Sequence, residues 1–231
     1  MRCYLYSDEN SPMLNLRFLQ IPFLLLIACC SITSADLFND DFEGGASPLW
    51  GNELGNWTDN GGVYQATNPE NFPNSHSSLP FQLVDFVLTV DITDIADGGI
   101  WLRSSLAQGT TIGRTGVLLV AGPNGGAYWH NVTDPGTYGA SLNVMNGLFT
   151  PNVSDVTLQI VVSGDEYALY VDGSNTAATT LTSDSFASGQ IALYDNSSQH
   201  FDNVVVTVPE PSAVALIAAL CVGFARRRRF N

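Results

Sequence analysis

Trp101 and Arg103 stand one residue apart in the run Gly98-Gly99-Ile100-Trp101-Leu102-Arg103. On an extended strand that spacing puts both side chains on one face, with Ile100 and Leu102 on the other. An indole can stack on a pyranose ring while a guanidinium donates a forked pair of hydrogen bonds to sugar hydroxyls or a uronate. The pair is therefore a candidate ligand site, with Tyr128 and Trp129 as expected neighbours from the strand that follows closely in sequence. The competing reading is a core tryptophan beside an arginine paired with an aspartate of an adjacent strand. Asp91, Asp94 and Asp97 form an oxygen-rich strand end and loop of the kind that holds Ca²⁺. They do not follow the twelve-residue spacing of a calcium loop, and acidic turn residues read the same way.

Catalytic constellations are scarce. Between residues 36 and 208 the glutamates are Glu43, Glu53, Glu70 and Glu166, scattered and mostly in expected turns. His76, His130 and His200 lack metal-ligand spacing and read as surface or satisfied histidines. All four cysteines (Cys3, Cys29, Cys30 and Cys221) lie outside residues 36–208, which excludes thiol catalysis and disulfides for that stretch. The same stretch carries nineteen Asp and Glu against Arg103 and Arg114, and 2 − 19 leaves a formal charge of −17. Such a surface repels phosphate backbones, so nucleic acid is excluded as a partner.

The elements that must position these groups read as strands. Val84 to Ile92 alternates, with Phe86, Leu88, Val90 and Ile92 on one face. Ile100–Arg103, Gly116–Ala121, Ala127–His130, Val156–Val162, Tyr167–Val171, Gln190–Tyr194 and Phe201–Val208 are similar runs separated by Gly, Asn, Asp and Pro clusters. Asp172-Gly173 reads as a tight hairpin turn. No amphipathic helix appears between residues 36 and 208. The expected fold is all-β, a single antiparallel two-sheet sandwich, with the Asp40–Phe42 strand beside Phe201–Val208.

Several motifs resemble known families. Asp40-Asp41-Phe42-Glu43 resembles the opening strand of concanavalin A-like (laminin G-type) jelly rolls. Asp85-Phe86-Val87-Leu88 with Gly98 to Arg103, Tyr170-Val171-Asp172-Gly173, and Gly189 to Tyr194 with Phe201-Asp202-Asn203-Val204 resemble the 3-keto-disaccharide hydrolase-like branch. The resemblance implies a jelly roll whose concave face often binds carbohydrate, on a fold that hosts lectin-like, enzymatic and adhesive members. The superfamily's glycosidases carry an E-x-D-x-E strand, and this sequence has none.

The chain ends read as addresses. Phe18 to Cys30 is an apolar segment after Arg17, followed by small residues that would allow cleavage after Ala35. Met13 gives a more ordinary signal length than Met1. Leu26-Ile27-Ala28-Cys29 also resembles a lipobox, in which Cys29 would be lipidated. Pro209-Glu210-Pro211, an uncharged stretch and Arg226-Arg227-Arg228-Arg229 resemble the PEP-CTERM sorting signal of bacteria. That resemblance implies export, a transient inner-membrane anchor, an exosortase-type sorting protease as partner, and delivery to the cell surface or extracellular matrix. The expected organisation is a signal helix over 1–35, the sandwich over 36–208 and a sorting signal with a short apolar helix over 209–231. Three functions fit: a non-catalytic carbohydrate-binding or adhesive protein, a glycan-cleaving enzyme, or a structural surface protein. Extracellular polysaccharide is the expected ligand of the first.

Overall fold

The computed structural model describes residues 34–210. Cys29, Pro211, Arg226 to Arg229 and the expected terminal helices lie outside them, save Ser34 and Ala35, the end of the expected signal segment, which are extended and not helical. The strands, in chain order, are β1 (Ser34–Asp40), β2 (Trp57–Asp59), β3 (Tyr64–Ala66), β4 (Ser75–Ser78), β5 (Phe86–Thr93), β6 (Gly98–Leu106) and β7 (Arg114–Ala121). They continue with β8 (Ala127–Val132), β9 (Leu142–Met145), β10 (Val156–Ser163), β11 (Glu166–Val171), β12 (Thr179–Thr182), β13 (Gln190–Asp195) and β14 (His200–Pro209). One sheet runs β12-β11-β10-β5-β14-β3-β2, with β1 also paired to β14; the other runs β4-β13-β6-β7-β8-β9. Every pairing is antiparallel.

The alternation along β5 holds. Phe86, Leu88, Val90 and Ile92 are buried in the core between the sheets, while Val87, Thr89, Asp91 and Thr93 are half-buried on the outer face. β7 is buried on both sides. Val117, Leu119 and Ala121 enter the intersheet core, and Leu118 and Val120 join a second apolar cluster with Trp101, Ile112, Val132, Ala192 and Tyr194. The six-stranded sheet therefore has a covered outer face, and its cover is made of loops. Asn74 donates from its backbone to the Ile112 carbonyl at 3.0 Å, and Ile112 donates to the Pro135 carbonyl at 2.8 Å.

β1 zips onto the end of β14, with Ser34 opposite Pro209, Ala35 opposite Val208 and Asp40 opposite Val204. The first and last strands do pair, but the strand expected over Asp40–Phe42 is displaced: β1 ends at Asp40, Asp41 and Phe42 lie beyond it, and the ladder starts two residues before Asp36. Asp172 and Gly173 do form a tight turn, closed by Ser174 donating to the Val171 carbonyl at 3.0 Å. It is not a hairpin loop, however, because β11 meets β12 only from Thr179 onward. The two-residue hairpin is Gly164-Asp165, between the paired Ser163 and Glu166.

Candidate functional site

Trp101 and Arg103 do not share a face. Arg103 has φ +45°, and the β6–β7 register shifts between Leu102 and Ser105. This bulge breaks the alternation on which the pairing depended. A Cβ at Gly189 would run into the Arg103 carbonyl, so glycine there is what lets the neighbouring chain pass. Arg103 is 2% exposed. Its Nε donates to the Val84 carbonyl at 2.8 Å and its Nη1 to the Phe186 carbonyl at 3.0 Å. Nη2 faces Asp85 at 3.4 Å, and the guanidinium lies 5.3 Å from the centre of the Tyr167 ring. It is a structural arginine, the second of the two readings.

Trp129 is buried between the sheets, donating to Thr179 at 3.3 Å. Trp101 is buried on the outer face of the six-stranded sheet, where its indole donates to Asn74 Oδ1 at 3.1 Å. Of the four expected ligand residues only Tyr128, half-buried on that same face, meets an open space. Of the three candidate calcium ligands, Asp94 donates from its backbone to Asp155 at 3.1 Å, close to Asp91, while Asp97 stands apart. Asp91 bonds Thr157 and Asn203 beside a cleft of about 300 Å³ shared with Asp155, Asp172 and Asp202, whereas Asp97 faces Asn196 and Tyr128. Among the described residues no three His, Cys, Asp or Glu side chains are set to hold a metal ion.

The outer face of the six-stranded sheet nevertheless has two polar corners. Around Tyr128 lies a hollow of about 70 Å³, lined by Asn71, Asp97, His130, Tyr138 and Tyr194 over Leu118 and Val120. The Tyr138 hydroxyl lies 2.7 Å from Asn71 Oδ1 and accepts from Asn74 Nδ2 at 3.2 Å; Tyr194 donates to Asn71 Oδ1 at 3.0 Å. Burial raises the Tyr138 and Tyr194 phenols well above their ordinary range and raises Asp97, the last against the opposing effect of its bond from Asn196.

The second corner joins β4, β13, β6 and β7. Arg114, fully buried, donates from Nη2 to Ser104 Oγ at 3.1 Å and to Gln190 Oε1 at 2.9 Å. Its Nη1 has no hydrogen-bond partner among the described residues and stands 3.9 Å from Glu53 Oε1. Burial lowers the guanidinium to about 10, and it stays charged at neutral pH. His76 Nδ1 meets the Asn74 carbonyl at 2.7 Å; a carbonyl only accepts, so Nδ1 carries the proton and the unpartnered Nε2 presents a lone pair. Burial, then the charge of Arg114, pushes His76 down to about 4. Glu53 accepts from the Ser78 backbone at 2.9 Å and from its hydroxyl. Clefts of about 420 and 170 Å³ open on either side of Glu53 and Leu54, the smaller one lined by Pro73 and His76.

Sequence reasoning missed Asn71, His76, Arg114, Tyr138 and Tyr194. Arg114 had a signal, being one of two arginines in an otherwise acidic stretch. Its neighbours Glu53, His76 and Gln190 come from three distant segments, and no local spacing connects them.

No protein-family model matches the chain, and no curated protein matches it. Solved structures do. The carbohydrate binding module CBM66 from Bacillus subtilis superposes with a TM-score of 0.56 at 18% identity, covering 68% of this chain and 93% of that one. A Bacillus subtilis protein of unknown function with a galectin-like fold gives 0.56 at 9% identity, covering 76% and 98%. At such identities the likeness shows the fold alone: an antiparallel two-sheet jelly-roll sandwich.

Proposed function

We propose that this chain is an exported, non-catalytic carbohydrate-binding β-sandwich whose site is the outer face of its six-stranded sheet. The observation that carries this reading is the ring of half-buried amide, phenol and carboxylate groups around Tyr128, laid over an apolar floor. Sugar sites combine an apolar surface with a few fixed polar groups in this way. The fold is also that of a protein described as a carbohydrate binding module. A non-catalytic role is supported by the face's carboxylates lining different hollows, since glycoside hydrolysis needs two carboxyls facing one bond, about 5–9.5 Å apart. Glu53 bonds Ser78 and neighbours Arg114, whereas Asp97 bonds Asn196 and lines the Tyr128 hollow. A glycan array probed with residues 34–210, with and without Ca²⁺, tests the reading. Binding to one class of glycan without its cleavage supports it; no binding, or release of shortened products, refutes it.

Export by way of a signal peptide ending at Ala35, or a lipidated Cys29, and sorting through Pro209-Glu210-Pro211 and the Arg226–Arg229 cluster complete the proposal. Support comes from the sequence patterns alone. Deleting residues 211–231 keeps β14 whole, so the protein should remain folded but be released or mislocalised. Retention at the wild-type level would refute the sorting role.

A further inference from the structure

Phe72 is 58% exposed, and among the described residues it is the one aromatic side chain standing mostly in solvent. The segment that bears it is nonetheless firmly held. Asn71 accepts from Tyr194 and contacts the Tyr138 hydroxyl, and Asn74 is tied to Trp101, to Tyr138 and to the Ile112 carbonyl. The Phe72 ring meets the Tyr138 ring at 5.5 Å and 64°. A phenyl ring left in water forgoes the favourable burial that folding normally supplies, so core packing gives no reason for its position. Its surroundings do. On one side Asn71 lines the hollow with Asp97, Tyr128 and Tyr138; on the other Pro73 lines the cleft with Glu53 and His76. A fixed aromatic face between a polar hollow and a mainly apolar cleft edged by Glu53 and His76 suits a chain of sugars, with one ring stacked, a neighbour hydrogen-bonded on one side and another packed on its apolar face on the other.

We propose that Phe72 is the stacking platform of a binding site running from the Asp97–Tyr138 hollow to the Glu53–His76 cleft, and that its ligand is an uncharged glycan longer than a disaccharide. This rests on the carbohydrate-binding reading above. The length follows from the layout, because a sugar on Phe72 leaves a hollow to fill at each side. The lack of charge follows from electrostatics. A carboxylate stands at each end of the site, and Arg114, the cation of this face, is wholly buried. Uronates and sulfated sugars would meet repulsion, with no exposed cation among the described residues to offset it.

Titration calorimetry with cello-, laminari-, manno- and fructo-oligosaccharides of one to six units, and oligogalacturonates of matching length, tests this. For the series that binds, affinity should climb from the monosaccharide to the trisaccharide, and oligogalacturonates should bind at least tenfold more weakly. Phe72→Ala should weaken binding tenfold or more without lowering the Tm, since the ring is exposed. Phe72→Trp should keep binding, and Phe72→Leu, apolar but without a π-face, should behave like the alanine variant. The proposal is overturned if Phe72→Ala or Phe72→Leu binds within twofold of wild type, if the monosaccharide binds as tightly as the trisaccharide, or if oligogalacturonates match the neutral series. If the wild-type protein binds none of the probes or any array glycan, the carbohydrate-binding reading itself falls.

Discussion

Arg103 and Arg114 are both buried, yet they do different work. Arg103 ties β6 to the segments around Val84 and Phe186 through carbonyl acceptors. Replacing its fork by a point charge leaves some of those acceptors unpaired. Arg103→Lys should therefore cost about 1–3 kcal/mol of stability, seen as a lower Tm, while glycan affinity stays unchanged. His76 and Asp195 set opposite pH slopes. The fold holds His76 down at about 4, so its contribution is whole above the unfolded value near 6.5 and is lost as pH falls toward 4. Asp195, fully buried with Oδ2 unpartnered, is raised by burial to about 6. Its contribution is whole below about 3.9 and is lost as pH rises through 6. Each effect is worth about 3 kcal/mol across its window. Urea unfolding between pH 4 and 7 should show stability falling more steeply with pH in His76→Gln than in wild type, and rising more steeply in Asp195→Asn. Unchanged slopes would refute these assignments. Residue types and the shortage of cations were visible beforehand, but the bulge at Arg103 was not. A one-residue slip in β6 reverses which face a side chain joins, and nothing in Trp101-Leu102-Arg103 marks it.

At the scale of elements, the legible strands were those with an apolar signal, either alternating as in β5 and β10 or nearly continuous as in β7 and β13. β5 and β10 alternate because one face meets the core and the other meets solvent. β4 was invisible for the opposite reason. Ser75-His76-Ser77-Ser78 is buried throughout yet has no hydrophobic signal, because its serine hydroxyls are satisfied by groups such as Glu53, Tyr64 and the Asn68 carbonyl from other segments. β9 is a mostly exposed edge, and its Asn143 and Thr179 of β12 fasten the two sheets together by hydrogen bonds rather than by a readable apolar pattern. β1 is the element whose anchoring is easiest to test. Phe38 is buried and meets Trp50 edge-on at 5.6 Å. Phe38→Ala should cost about 3–5 kcal/mol and lower the urea midpoint without changing the strand content, which far-ultraviolet circular dichroism would check.

For the whole molecule, the −17 charge between residues 36 and 208 is the dominant long-range force. Self-repulsion is relieved as the Debye length falls from about 10 Å at 0.1 M salt to about 3 Å at 1 M. The Tm should therefore rise with sodium chloride over that range; a flat or falling curve in calorimetry would show that local ion pairs outweigh the net charge.

The pairing of Ser34 with Pro209 also decides how the sandwich carries tension. β1 begins where β14 ends, so a pull on those two residues peels the ladder open one hydrogen-bonded pair at a time. Handles at opposite ends of the two strands, near Ser34 and His200, would instead shear the ladder along its length. A force spectrometer gripping Ser34 and Pro209 should thus record a low, sawtooth-free opening of β1 before the rest yields. The sandwich is a zipper at its own ends, soft to traction there, whatever its resistance to heat.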